Sequence, residues 1–114
     1  MSADNRDELR AHRLLIDACI ANGVPFLWQG PGTLLISGAG ALTVINSVES
    51  SGEKVIGLEG FEVESPIVHP RLDLIYDESI APRGGAAAVA SEWGDGVWID
   101  VTLAGNARGQ GGGV

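Results

Sequence analysis

The N-terminal segment constrains the fold most, because it predicts a helix that is apolar on one face only. Within residues 4–22 that face consists of Leu9, Ile16, Cys19 and Ile20. Gly23 follows the segment and predicts a left-handed end to the helix. A helix with one apolar face needs a second layer to cover it. We therefore expect the rest of the chain to supply a sheet.

Short runs of aliphatic and β-branched residues, separated by glycine-rich turns, predict the strands of that sheet. These runs are residues 33–37, 41–49, 54–63, 71–77 and 97–104. We interpret Gly38-Ala39-Gly40 as a hairpin loop, so that the first three runs form an antiparallel meander. Pro66 and Pro70 bracket residues 65–70, which we expect to be an extended surface connection.

The predicted fold class is α+β, with the N-terminal helix packed on an antiparallel sheet of four to five strands. Residues 86–93 are rich in alanine and predict a second short helix. A chain of 114 residues can bury one ordinary core. We expect residues 1–104 to form a single domain and the glycine-rich residues 105–114 to be a disordered tail.

The formal net charge of −8 makes several classes of partner unfavourable. It argues against a nucleic acid, because phosphate binding depends on Lys and Arg, and against an anionic membrane surface. No segment approaches the roughly 20 apolar residues of a membrane span. The first residues lack the pattern of a secretory signal, and Cys19 is the one cysteine. We therefore expect a cytoplasmic protein without disulfides.

No complete catalytic or metal-binding arrangement is predicted. His12 and His69 are far apart in sequence, and zinc needs three or four ligands. Cys19 lies on the apolar helical face, where it is expected to be a small core residue. The chain also has no Gly-x-Ser-x-Gly motif for a nucleophile. We predict a protein that is not an enzyme and that needs no cofactor or metal.

Acidic residues are concentrated in the middle of the chain. From Glu49 to Glu78 there are eight acidic residues and two basic ones. Such a surplus predicts a surface that binds a basic protein partner. The side chains expected to carry the contact are the carboxylates of Glu59, Glu62, Glu64, Asp73, Asp77 and Glu78, with Tyr76 and Trp98 as aromatic contacts.

In residues 54–79 a predicted strand runs into a Gly-Phe pair, an extended segment with a proline follows, and an I-x-D-x-S-like ending closes the stretch. This pattern resembles one found in small bacterial immunity proteins that neutralise polymorphic or contact-dependent toxins. The matching positions are Gly57, Glu59, Gly60, Phe61, Pro70, Leu74, Ile75, Asp77 and Ser79. The resemblance implies a non-catalytic toxin inhibitor. Many such toxins are nucleases, whose basic cleft carboxylates can occupy in place of phosphates.

Two other functions remain open from the sequence. One is a structural or scaffold module, including a homodimer joined through an uncovered sheet face or edge. The other is a small metal-dependent enzyme, or an enzyme subunit, that uses the neighbouring carboxylates of Asp73, Asp77 and Glu78.

Overall fold

The computed structural model describes residues 2–28, 33–64, 67–79 and 85–104, with side chains described from Arg10 onward. Gly23 ends the first helix with a φ of 67°, as its position in the sequence predicts. The elements in chain order are α1 (Ser2–Asn22), β1 (Phe26–Trp28), β2 (Leu34–Ser37), α2 (Gly38–Ser50), β3 (Val55–Glu64), β4 (Ile67–Asp77), α3 (Ala86–Trp93) and β5 (Trp98–Leu103).

The five strands form one antiparallel sheet in the order β1-β2-β5-β3-β4. β5 is the last of the described strands, yet it lies between β2 and β3. The architecture is α+β, with an N-terminal helix and a five-stranded antiparallel sheet, which confirms the predicted fold class. The short helix predicted from the alanine-rich segment is α3. The predicted tail, residues 105–114, lies outside the described residues.

The predicted hairpin loop at residues 38–40 and the predicted strand at residues 41–49 are wrong, because both belong to α2. The buried side chains of α2 are at Ala41, Val44, Ile45 and Val48, which is the spacing of one helical face. This period outweighs the preference of β-branched residues for strands. The predicted meander is therefore wrong too, since β5 separates β2 from β3.

The glycines of the supposed loop instead allow close packing at the start of α2. A Cβ atom on Gly40 would lie 2.6 Å from both Cγ atoms of Val24. A Cβ atom on Gly38 would collide with the backbone carbonyl oxygen of Val97. Both contacts join residues that are distant in sequence, so a local reading as turn residues could not detect them.

The prediction for residues 65–70 is also corrected. Residues 67–70 are the beginning of β4, and residues 65 and 66 lie outside the described residues. β4 is an edge strand, where a proline such as Pro70 removes no hydrogen bond from the sheet interior. The strand predicted at residues 71–77 is confirmed as the second half of β4.

The core lies between the three helices and one face of the sheet. Leu15 of α1, Ile45 of α2 and Val89 of α3 are buried in a single cluster with sheet residues such as Leu58 and Ile99. The buried face of α1 includes Cys19, as predicted, but also Ala11, His12, Leu15 and Ala18. Ile20 was expected on that face and is 67% exposed.

Candidate partner-binding face

One side of the sheet is turned away from the helices. Side chains alternate between the two sides of a strand, and Leu58 and Ile99 turn into the core. Their neighbours Glu59 and Asp100 therefore lie on the opposite side. We call this side of strands β3, β4 and β5 the outward face, and it carries Gly57, Glu59, Phe61, Ile75, Asp77, Trp98, Asp100 and Thr102.

Strand register brings three carboxylates of the outward face together. Glu59 is directly opposite Asp100 on β5, and Gly57 is directly opposite Asp77 on β4. The Cβ atoms of opposed residues in antiparallel strands are about 4.5–5.5 Å apart, and like charges in such positions destabilise the sheet. Two of the three acids are on neighbouring strands of the same hairpin, and the third comes from the far end of the chain.

The basic side chains of the described residues are engaged elsewhere or lie on α1. Arg10 donates to Glu53 at 3.0 Å, and Lys54 Nζ is 3.1 Å from Glu78 Oε2. Arg13 belongs to α1, which packs against α2 and shares the core on the helical side of the sheet. Glu59 has no hydrogen bond or ion pair with any of the described residues. Among the described residues, the Glu59 carboxylate on the outward face therefore has no cationic partner.

A groove of about 270 Å³ lies on the outward face between β3 and its two neighbours. Its floor is open because Gly57 has no side chain. A Cβ atom there would meet Thr102 Cβ and the Tyr76 carbonyl oxygen at 3.5 Å, which is ordinary contact. The groove is lined by Ile56, Gly57, Leu58, Glu59, Ile75, Tyr76, Asp77 and Thr102. Because the side chains of Leu58 and Tyr76 are buried in the core, these two residues border it with their backbones.

The rim of the groove is held in place by local hydrogen bonds. The Oδ1 atom of Asp77 accepts hydrogen bonds from the backbone N–H of Ser79 at 2.9 Å and from the Ser79 hydroxyl at 2.7 Å. These bonds fix the orientation of the carboxylate. Ile75 stands on the same strand, two residues away, and is 52% exposed. The groove thus has an apolar wall beside a positioned negative charge.

Two of the other predicted contact residues belong to what we call the Arg71 cluster, formed by Glu62, Arg71 and Asp73. Arg71 donates two hydrogen bonds to the Asp73 carboxylate, at 3.0 and 2.8 Å, and a third to Glu62 at 3.1 Å. The bonds from Arg71 hold the pKa of Asp73 below its usual range. Arg71 is opposite Gly60, a residue of the core side, so the cluster does not belong to the outward face.

The remaining predicted contact residues have different environments. Glu64 is exposed at the end of β3, and the carboxylate of Glu78 is paired with Lys54. Trp98 lies on the outward face, half-buried and directly opposite Phe61. Tyr76 is 4% exposed and belongs to the core, so it presents no aromatic surface to a partner. Burial, together with the negative charges of Glu78 and Glu49, raises the pKa of its hydroxyl.

Sequence reasoning did not select five residues as contacts that the outward face includes, namely Gly57, Phe61, Ile75, Asp100 and Thr102. A signal for Asp100 was present, because alternation in residues 97–104 places it with Trp98 and Thr102. Its position opposite Glu59 depends on strand pairing across about 40 residues of chain, which no local pattern reveals.

Cys19 and His12 are both buried. Burial raises the pKa of the Cys19 thiol to about 11, which keeps it protonated at neutral pH. His12 is buried, and its ring makes an edge-to-face contact with Trp28 at 6.1 Å between centroids. Within residues 2–28, 33–64, 67–79 and 85–104, no group of three or more His, Cys, Asp or Glu side chains is placed to hold a metal ion.

Comparisons with known proteins add no family to this description. No protein-family model matches the chain, and neither a curated protein nor a solved structure matches it. None of the helices in the described ranges combines the length and apolar content needed to cross a membrane. The candidate face therefore rests on the geometry and charge of this chain.

Proposed function

We propose that this chain is a non-catalytic acidic protein that binds a basic protein partner through its outward face and thereby blocks it. One observation carries the proposal: Glu59 lies on the same outward face as Asp77 and Asp100, and its carboxylate has no hydrogen bond or ion pair with any of the described residues. A cationic surface that docks there would pair with the Glu59 carboxylate. Trp98 and Phe61 would supply apolar contact area next to the charges.

The partner that fits best is a bacterial toxin with a cationic active site, such as a nuclease, and the chain would act as its immunity protein in the cytoplasm. A nuclease cleft binds phosphates with Lys and Arg, and carboxylates can take the place of those phosphates. The net charge of −8 would also attract a cationic partner over distance. Association rates of about 10⁸ M⁻¹s⁻¹ or more are typical of such pairs at low salt.

A homodimer is the second candidate, and a specific observation favours it. The edge strand β4 exposes Ile67, Leu72 and Ile75, with exposed fractions of 54%, 79% and 52%. Apolar side chains along an unpaired edge favour pairing with a second strand. Two copies would, however, each bring a charge of −8 to the contact. Light scattering across a range of protein concentrations separates the two: a constant monomer mass contradicts the dimer.

The metal-dependent enzyme gains no support from the placement of its three carboxylates. Asp73 is bonded to Arg71, Asp77 to Ser79, and Glu78 is paired with Lys54. Each therefore has its own partner, and the described residues do not bring the three together at one ion. Calorimetry with magnesium, calcium and zinc provides the check, and heat of binding from any of them would revive this function.

The proposed function is tested by measuring binding to a defined basic protein. We expect a toxin inhibitor to be encoded directly after a larger gene that ends in a cationic domain, so the domain to test is the one found by inspecting the upstream reading frame. We expect a complex whose affinity falls steeply with salt, because exposed charges are screened at high ionic strength. Glu59→Lys should abolish binding at physiological salt, whereas Glu64→Lys, the same charge reversal outside the outward face, should retain most of it. Equal losses in both variants would contradict the proposed face.

A further inference from the structure

We propose that the groove above Gly57 is a socket for one arginine side chain of the basic partner. This inference rests on the proposed function and makes it more specific, because it names the chemical group that the outward face would recognise. The groove has a volume of about 270 Å³, slightly below the roughly 300–1,000 Å³ of pockets that hold small molecules. Its size therefore suits a single side chain better than a cofactor.

The walls of the groove match the two parts of an arginine side chain. Ile56 on β3, Ile75 on β4 and Thr102 on β5 supply apolar surface to the groove, against which the aliphatic stem of an arginine can pack. Glu59 and Asp77 line the groove with carboxylates that can accept hydrogen bonds from the guanidinium group. The stem thus loses contact with water while the charged end meets opposite charge.

The chemistry of the groove favours a guanidinium over a metal ion. Within the part of the chain that the structure describes, no group of three or more His, Cys, Asp or Glu side chains is placed to hold a metal ion. A guanidinium is planar and carries five N–H donors, so it can donate hydrogen bonds to more than one carboxylate at once. It is also more weakly hydrated than the ammonium group of lysine, which favours its contact with apolar walls.

Gly57 is the residue that keeps the socket open. The space above it exists because the residue has no Cβ atom. The nearest atoms to a Cβ placed there would be 3.5 Å away, which is ordinary van der Waals contact, so a side chain fits without a collision. Its φ is not in the left-handed region, so a side chain is compatible with its backbone. A larger residue at this position would fill the socket without changing the net charge of the protein.

The first experiment locates binding with a small probe. The 114-residue chain, labelled with ¹⁵N, is titrated with N-acetyl-arginine methylamide and, separately, with N-acetyl-lysine methylamide. We expect the arginine probe to shift the amide signals of Gly57, Glu59, Ile75 and Asp77, and to saturate at a lower concentration than the lysine probe. Equal responses to both probes, or shifts spread evenly over all acidic residues, would overturn the socket.

The second experiment uses variants that separate shape from charge. Gly57→Val should weaken binding of the arginine probe by roughly tenfold or more, because it occupies the floor while every charge is retained. Glu59→Gln, which keeps the shape of the side chain, should weaken it by a similar factor. Glu64→Gln is the matched control, since it removes one charge outside the groove, and its binding should stay within about twofold of wild type. Thermal unfolding verifies that each variant is folded.

The failure of the socket and the failure of the proposed function give different results. If the basic partner binds and Glu59→Lys abolishes binding, but Gly57→Val and Glu59→Gln bind both partner and probe as wild type does, the socket is overturned and the proposed function stands. If the arginine probe occupies the groove but no basic protein binds through the outward face, the socket stands and the proposed function fails.

Discussion

Two acidic regions of the β3–β4 hairpin differ in how their charge is balanced. In the Arg71 cluster, Glu62 and Asp73 accept three hydrogen bonds from one arginine. On the outward face, Glu59 is opposite Asp100, and no described basic residue bonds to Glu59. The two regions are only a few residues apart on the same strand. Carboxylates that look equivalent in the sequence therefore differ in their availability to a partner.

The difference arises from strand register. Between Glu59 and Gly60 of β3, the partner on β4 changes from Ile75 to Arg71, so β4 contains three additional residues at this point. The irregularity places Arg71 beside Glu62 and leaves Glu59 without a basic neighbour on β4. The bulge thus divides the acidic residues into a part whose carboxylates are paired with Arg71 and a part, at Glu59, that can attract a cation.

Charge reversal should have the largest effect on affinity for the basic partner, and that effect should differ between the two regions. Glu59→Lys should weaken binding to the basic partner by about 2–5 kcal/mol, or roughly 30-fold or more, because it places a cation where the partner's own cation would dock. Glu62→Lys should cause a much smaller loss, because Glu62 is already paired with Arg71. Isothermal titration calorimetry of both variants is the measurement. Similar losses would remove the distinction between the two regions.

Replacing one glutamate by glutamine should have a smaller effect, on the free energy of unfolding, and its sign should differ between the two regions. Glu59→Gln should stabilise the free protein by a few tenths of a kcal/mol, up to about 1 kcal/mol, because it removes a like-charge pair across strands β3 and β5. Glu62→Gln should lower stability slightly, because it weakens the bond from Arg71. Urea unfolding of the two variants against wild type provides the test. The same sign in both would contradict the assigned environments.

Lowering the pH should remove the stabilising contribution of Asp73 in the Arg71 cluster over a defined pH range. The bonds from Arg71 hold the folded-state pKa of Asp73 below its unfolded value, which is about 3.9. The ionised carboxylate therefore stabilises the fold at every pH above that unfolded value, and its contribution is lost as the pH falls through the lowered pKa. Carboxyl NMR titration should show the pKa of Asp73 rising in Arg71→Gln. An unchanged value would mean that Arg71 does not set it.

The smallest expected effect concerns the rate of association. Arg71→Ala removes one positive charge and leaves Glu62 and Asp73 without their arginine, so the net charge becomes more negative by one. The association rate with a basic partner should rise by about twofold at low salt, and the gain should disappear as salt screens it. Stopped-flow measurements at several ionic strengths provide the check. A slower rate would indicate that Arg71 itself contacts the partner.

Local sequence patterns predicted the helices α1 and α3 and the strands β3 and β5, because each has a clear period or composition. They failed at α2, where Val44, Ile45 and Val48 have strand-forming side chains on a helical period. The glycines before them looked like a turn because their close contacts, with Val24 and Val97, come from other parts of the chain. Propensity was the misleading signal, and the spacing of the apolar residues was the correct one.

The candidate site was only partly predictable because strand pairing, like the close contacts of α2, joins residues that are distant in sequence. Alternation identified the side of β5 that carries Trp98, and the acidic surplus pointed to Glu59 and Asp77. Strict alternation along residues 71–77 would place Leu72 on the same side as Tyr76, but Leu72 is 79% exposed and Tyr76 is in the core. The bulge next to Arg71 breaks the period of two there. Nor does any local pattern show that β5 inserts beside β3 and brings Asp100 to Glu59.

Cross-saturation NMR on the complex with the cationic domain tests the central claim most directly, because it reports which amides lie against the partner. We predict that saturation of the partner will reduce the signals of Gly57, Glu59, Ile75 and Asp77 on the outward face, and will leave the Arg71 cluster and α1 unchanged. Signal loss confined to α1 or to the Arg71 cluster, with the outward face unaffected, would contradict the account.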